Sequence, residues 1–221
     1  MHNRITSSKR FDISNKDQLF AADEQRDITL CGRSLAEPGS TRFAKQGAHD
    51  PTPTPYFILE SLFSDLEFFD DSHLLDVGCG TGRVLSFFVQ SGLPGKATGI
   101  ELDPDIAEYA RAWTRRFENL DVLCGNALEM PLAAFTHVYL FNPFDTNVLM
   151  QFIMKIEAEA RRSLTLVHMS DNGETYSYIG RSGWSLLRQG EFRSYQTATG
   201  RSFHVYDCPQ HFSIWQFDPE A

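Results

Sequence analysis

From residue 51 onward the apolar positions fall into two alternating patterns. Leu59, Leu62, Phe63 and Leu66 recur at i, i+3, i+4 and i+7, the spacing of an amphipathic helix, with Thr54 as N-cap and Pro55 at the first helical position. A short apolar run, Leu74 to Val77, predicts a strand, and Val84, Leu85, Phe88 and Val89 predict the next helix. Ala97 to Leu102 reads as a second strand. Asp103 then caps a helix whose apolar face is Ile106, Tyr109, Ala110, Trp113 and Phe117. Leu120–Cys124 and His137–Phe141 follow as strands, the second almost continuously apolar, as a strand covered on both faces should be. Leu149, Phe152, Ile153 and Ile156 give another helix, and Leu164–Met169 a fifth strand. After Gly173 the pattern changes: Trp184–Phe192, Ser202–Tyr206 and Phe212–Phe217 read as strands with no helix between them. Alternation followed by a strand-rich end predicts an α/β fold, a doubly wound sheet that is mostly parallel and finishes in antiparallel strands.

The first fifty residues show no sustained period. Leu35 to Pro53 is rich in Gly, Ser, Thr and Pro and reads as a loop or flexible arm. The expected division is therefore an arm over 1–50 and one domain over 51–221, close to the usual size of a single domain for a 221-residue chain. Of 20 Lys and Arg and 29 Asp and Glu, only eight and seven fall in the arm, so the net charge of −9 belongs to the main body. An acidic body argues against bulk binding of nucleic acid, which depends on Lys and Arg neutralising phosphates. The start, Met1 to Arg10, has no apolar stretch behind its charges, and no run is long enough to span a bilayer. Cys31, Cys79, Cys124 and Cys208 are widely spaced with no C-x-x-C pair, which fits reduced thiols in a cytoplasmic protein.

The candidate chemistry begins at Asp76-Val77-Gly78-Cys79-Gly80-Thr81-Gly82, directly after one strand and opening a helix. Glycines there allow a tight turn and close approach of a ligand to the backbone, and the helix start supplies unpaired N–H groups. Glu101 lies nineteen residues past Gly82, at the end of the next strand, where a carboxylate reaches the same crevice and can accept from two ribose hydroxyls. The dinucleotide fingerprint needs a third glycine where this chain has Arg83. Asp76, two residues before the first glycine, would repel a pyrophosphate and suits a ligand carrying an amino group or a sulfonium.

The segment LLDVGCGTGRVL resembles the first motif of class I S-adenosylmethionine-dependent methyltransferases. The resemblance implies a Rossmann-like sheet, S-adenosyl-L-methionine as cofactor, and Asp76, Gly78, Gly80, Gly82 and Glu101 around it. Leu102, in Glu101-Leu102-Asp103-Pro104, would pack on the adenine. Gly125-Asn126-Ala127 stands where the family usually has Gly-Asp-Ala, which puts Asn126 and Ala127 near the adenine with an amide in place of a carboxylate. Asn142-Pro143-Phe144, after the fourth strand, resembles the Asn-Pro-Pro-Tyr/Phe motif of N-methyltransferases with one proline missing. It makes Asn142 and Phe144 the candidate catalytic pair, holding a target atom toward the methyl group. An Asn-Pro-Phe variant with Pro-Thr-Pro-Tyr ahead of the glycine motif also resembles bacterial class I methyltransferases of undefined substrate. That adds Thr54 and Tyr56 to the cofactor set and places the arm as a lid over the crevice.

The expected reaction is methyl transfer to a nitrogen or oxygen of a small-molecule or protein substrate. A non-catalytic nucleoside-binding scaffold and, disfavoured by Arg83, an NAD-dependent oxidoreductase are the alternatives. No metal site is expected, since His49, Asp50 and His204 lack ligand spacing. His168 and Asp171, near the end of the fifth strand, come within reach of the pocket. Arg181, Arg188, Arg193 and Arg201 make the tail locally basic, a candidate contact for an anionic substrate.

Overall fold

The computed structural model describes residues 13–36 and 40–221. The start of the chain, Met1 to Arg10, lies outside the described residues. The elements are α1 (Lys16–Cys31), α2 (Tyr56–Phe63), β1 (His73–Val77), α3 (Arg83–Gln90), β2 (Lys96–Glu101), α4 (Pro104–Thr114), β3 (Leu120–Cys124), β4 (His137–Phe141), α5 (Thr146–Glu159), β5 (Leu164–Ser170), β6 (Trp184–Phe192), β7 (Ser194–Gln196), β8 (Ser202–His204) and β9 (Gln210–Phe217). The main sheet has seven strands in the order β3-β2-β1-β4-β5-β9-β6. The first five are parallel, and β9 runs antiparallel between β5 and β6. Strand order reverses between β1 and β4, which opens a crevice at the carboxyl ends of those strands. The strand expected over Ser202–Tyr206 ends at His204 as β8, which pairs only with β7 in a separate small sheet.

Two apolar layers cover the two faces. Leu59, Leu62, Leu74, Leu85, Phe88 and Trp113 lie in one; Leu75, Val138, Phe152, Ile156 and Trp215 in the other. Alternate residues of β1 enter opposite layers, as a strand buried on both sides requires.

Residues 16–31 are a helix, although their apolar positions show no sustained period. Its N-terminus is capped by Asn15, whose side chain accepts from the Gln18 N–H, and it ends on Gly32 in the left-handed conformation. Its buried stripe is Leu19, Asp23, Asp27 and Cys31. Two aspartates in the stripe disguise the helical period, and they are buried because α3 answers them. Arg83 donates to Asp27 through Nη2 at 2.6 Å and Nε at 3.3 Å, and the Tyr56 hydroxyl and Leu35 N–H donate to the same carboxylate at 2.8 and 3.0 Å. Asp23 accepts from the Tyr56 N–H at 3.2 Å. Burial holds its carboxyl up at about 6 against the pull of Arg83. Residues 13–36 thus pack into the same core as the rest of the domain.

Candidate active site

The crevice between β1 and β4 is lined by residues from five places in the chain: the segment 46–54, the glycine loop, the end of β2, the end of β3, and Asn142-Pro143-Phe144. The glycine loop is held from both sides. Thr81 donates its hydroxyl to the Leu35 carbonyl at 2.6 Å, and Trp113 donates its indole N–H to the Thr81 carbonyl at 3.0 Å. Gly78 and Gly82 both have positive φ, 68° and 94°. A Cβ on Gly78 would sit 2.7 Å from the Cβ of Pro143, and one on Gly82 would sit 3.0 Å from the Trp113 ring. Gly78 therefore lets the loop approach the Asn-Pro-Phe turn. Gly82 serves packing of α3 on α4 and does not line the crevice.

The two acidic residues of the site have different surroundings. Glu101 accepts from Gly80 N–H at 3.0 Å and from Asp103 N–H at 2.9 Å, one bond to each oxygen. Burial still raises its carboxyl above the usual range. Asp76 is 2% exposed, and its Oδ2 has no hydrogen-bond partner. Burial, and the charge of Glu101 after it, push the Asp76 carboxyl up to about 8. A buried carboxylate oxygen without a donor is costly unless a ligand supplies one. A ligand ammonium donates to such an oxygen, and an ionised phosphate does not.

Asn142 is the only non-glycine with positive φ among the described residues, at 46°. Asparagine tolerates that region better than most side chains. Its Nδ2 donates to Asp171 at 3.3 Å, and its Oδ1 is buried and unpartnered. Phe144 lines the crevice beside it and packs on Phe152 of α5. Leu102 and Ala127 line the opposite end with Asn126, whose Oδ1 accepts from the Leu128 N–H at 3.0 Å as in a turn.

Four expectations change. Thr54 does not cap α2, whose first residue follows Pro55. Its hydroxyl instead pairs with that of Tyr139 at 2.7 Å on the crevice wall. Tyr56 faces away from the crevice: it is fully buried, with its hydroxyl between Asp27 and Ser86. His168 also lies in the core, where burial lowers it to about 3 and the Tyr178 hydroxyl sits 3.0 Å from Nδ1. Two of the tail arginines are spoken for: Arg181 holds Glu157 through two bonds, and Arg188 bonds Asp65 and the Ser61 and Leu62 carbonyls.

The segment 40–54 carries what the sequence did not single out. Arg42 pairs with Asp103 through Nε at 3.1 Å and Nη2 at 2.8 Å, and with Asp105 at 2.9 Å. Seven residues on, His49 donates its backbone N–H to the Pro143 carbonyl at 3.1 Å, and Asp145 N–H donates to the Gly47 carbonyl at 2.8 Å. Ala48 and Phe144 form an antiparallel bridge. The segment is thus a strap fixed to the start of α4 at one end and to the Asn-Pro-Phe turn at the other. Its Gly, Pro and Thr content reads only as loop, because its partners are distant in sequence.

A family model described as a methyltransferase domain matches residues 74–165. No curated protein matches the chain. Solved structures share the fold at low identity. An RNA methyltransferase from Salinibacter ruber, in complex with S-adenosyl-L-homocysteine, superposes with a TM-score of 0.53 at 18% identity, covering 77% of this chain and 96% of that one. The YcgJ protein from Bacillus subtilis gives 0.57 at 10% identity, with 75% and 100% covered. An rRNA methylase from Streptococcus thermophilus gives 0.51 at 13%, with 74% and 96% covered. Among the described residues no helix is long and apolar enough to cross a membrane. The match to the methyltransferase-domain model falls on the glycine loop and the central strands of this sheet, and the chain shares the fold of these solved methyltransferases.

Proposed function

We propose that the crevice transfers a methyl group to a nitrogen or oxygen of a small molecule or a protein side chain. The observation that carries this reading is the pair of buried, unpartnered oxygens in one crevice, Asp76 Oδ2 and Asn142 Oδ1. Each needs a donor, and they come from the ends of adjacent strands, β1 and β4. Asp76 takes the amino group of the cofactor, Glu101 the ribose hydroxyls, and Leu102, Asn126 and Ala127 flank the adenine. S-adenosylmethionine supplies an electrophilic methyl group on sulfonium, so the chain's own work is positioning. Asn142 Oδ1 accepts from the N–H or O–H of the methyl acceptor, and Phe144 offers it an apolar ring face. The strap over 40–54 covers the cofactor and excludes water. Thr54 and Tyr139 close the wall between the two sites.

All four cysteines are unpaired, which suits a reducing compartment such as the cytoplasm. The test is methyl transfer from isotopically labelled S-adenosylmethionine to a panel of aromatic amines, phenols and peptides. Labelled product from the wild type and roughly 10²-fold slower product from Asn142→Ala, with both binding S-adenosylhomocysteine equally, is the expected result. Equal product from both would remove Asn142 from the site.

A further inference from the structure

The Asn-Pro-Phe turn positions an acceptor but provides no group to take its proton. Asn142 is an amide, Phe144 is apolar, and Asp171 already accepts from Asn142. Among the described residues His49 is the one histidine on the crevice lining. His73 and His137 begin β1 and β4, at the opposite edge of the sheet. His168 is in the core.

His49 is held for one task. Its Nδ1 lies 2.9 Å from the Asn142 carbonyl oxygen. A carbonyl oxygen only accepts, so Nδ1 carries the hydrogen, and in the neutral ring Nε2 keeps its lone pair. The main chain of the same residue is pinned by its N–H to the Pro143 carbonyl at 3.1 Å, and the strap by the Asp145 N–H to the Gly47 carbonyl at 2.8 Å. Ring and backbone are therefore both referenced to the turn that presents Asn142 Oδ1. The residue is exposed, so a proton received there passes to water.

We propose that His49 is the catalytic base of the methyl transfer, with Nε2 as the proton acceptor. The proposal rests on the methyltransferase reading of the crevice. A lone pair on the acceptor nitrogen or oxygen forms the bond to the methyl carbon. The carbon–sulfur bond breaks with its electron pair left on sulfur. The N–H or O–H bond of the acceptor breaks with its pair left on that atom, and the proton goes to Nε2 and then to solvent. Acceptors that must lose a proton as they are methylated, above all phenols and other acidic hydroxyls, gain most from such a base.

Two measurements test this. Long-range proton–nitrogen spectra of protein labelled in its histidine rings, assigned with His49→Gln, should show Nδ1 protonated and Nε2 bare in the neutral ring. The opposite tautomer overturns the proposal. The second is single-turnover methylation of the phenols and aromatic amines of the panel by wild type and His49→Asn. The asparagine amide keeps a donor for the Asn142 carbonyl and lacks Nε2, so a residue that only fixes the turn is rescued by it. The expected result is a roughly 10²–10⁴-fold slower transfer, unchanged affinity for S-adenosylhomocysteine, and loss of the acidic limb of the pH–rate profile. The other acidic groups near it are Asp50 in the strap, Asp145 and Asp171 on the turn side, and Asp76, so the limb is assigned by its disappearance in the variant. Wild-type rates in His49→Asn would overturn the proposal. A wild type that fails to bind S-adenosylhomocysteine overturns the reading of the crevice beneath it, a failure calorimetry registers before any rate is measured.

Discussion

Asp76 and Glu101 face the same crevice, and the fold satisfies one while leaving the other bare. Glu101 has a backbone N–H on each carboxylate oxygen. Asp76 has an oxygen with none, and the neighbouring Glu101 charge adds to its burial in disfavouring ionisation. Glu101 is therefore part of the loop's architecture as well as a ligand candidate. Asp76 has an oxygen that the fold leaves without a donor.

That difference makes cofactor binding depend on pH. The carboxyl of Asp76 sits at about 8 in the empty protein, so at pH 7 it is mostly protonated. A ligand ammonium favours the carboxylate and lowers that value in the complex. Binding then releases a proton, and affinity for S-adenosylhomocysteine should rise from pH 6 to pH 7.5, by at most about tenfold per unit. Calorimetry in buffers of different ionisation heat should detect the proton. Asp76→Asn should flatten the dependence and weaken binding. Linkage gives the empty protein the opposite slope: the folded value lies above the unfolded one, so stability falls as pH rises from about 4 to about 8.

Asn142 combines a backbone role with a side-chain role, and two variants separate them. Alanine at φ 46° carries strain of about 1 kcal/mol, which glycine avoids. Both lack Oδ1. If Oδ1 positions the methyl acceptor, Asn142→Ala and Asn142→Gly should both lose roughly 10²-fold in turnover, with affinity for S-adenosylhomocysteine kept. Near-normal turnover in Asn142→Gly would make the residue a turn former only.

The buried pair between Asp27 and Arg83 should dominate the stability of the N-terminal third. Asp27→Ala leaves Arg83, which is 6% exposed, without its main partner, and should cost about 3–5 kcal/mol. Replacing both, as Asp27→Leu with Arg83→Met, should recover only part of that loss: the Arg83 charge is gone, but Asp23 loses its own arginine and the Leu35 N–H and Tyr56 hydroxyl lose an acceptor. Urea denaturation of the three proteins checks the order. A single variant as stable as wild type would contradict the assignment.

The strands, the glycine loop and the order of helices were legible because each is written in contiguous apolar residues with turn residues between them. Strands β3, β4 and β6 begin and end where their apolar runs do. The N-terminal third was illegible for a physical reason. Half of the buried stripe of α1 is aspartate, and a carboxylate reads as surface until its arginine, fifty-six residues on, is known. The same holds for Tyr56 and Thr54, whose hydroxyls find partners across the fold. In the site, Asp76, Glu101 and Asn142 could be read from position alone, whereas His49 and Arg42 sit in a Gly- and Pro-rich stretch with no period to mark them.

Truncation and a point variant should therefore act differently on the N-terminal segment. Removing residues 1–36 takes away buried Leu19, Cys31 and Leu35 and the carboxylate of Asp27. It should destabilise the whole domain and not merely shorten it. Arg42→Ala breaks only the outer fixation of the strap to Asp103 and Asp105. It should leave the melting temperature nearly unchanged, speed protease cleavage between residues 40 and 53, and weaken S-adenosylhomocysteine several-fold. Equal cleavage rates in variant and wild type would show that the pair does not hold the strap.

Ligand-induced thermal stabilisation tests the central claim, that this crevice is an S-adenosylmethionine site, most directly. S-adenosylhomocysteine at 100 times its Kd should add about 2.7 kcal/mol to the stability of the folded protein and raise its melting temperature, while NAD at the same concentration leaves it unchanged. A shift with NAD and none with S-adenosylhomocysteine would contradict it.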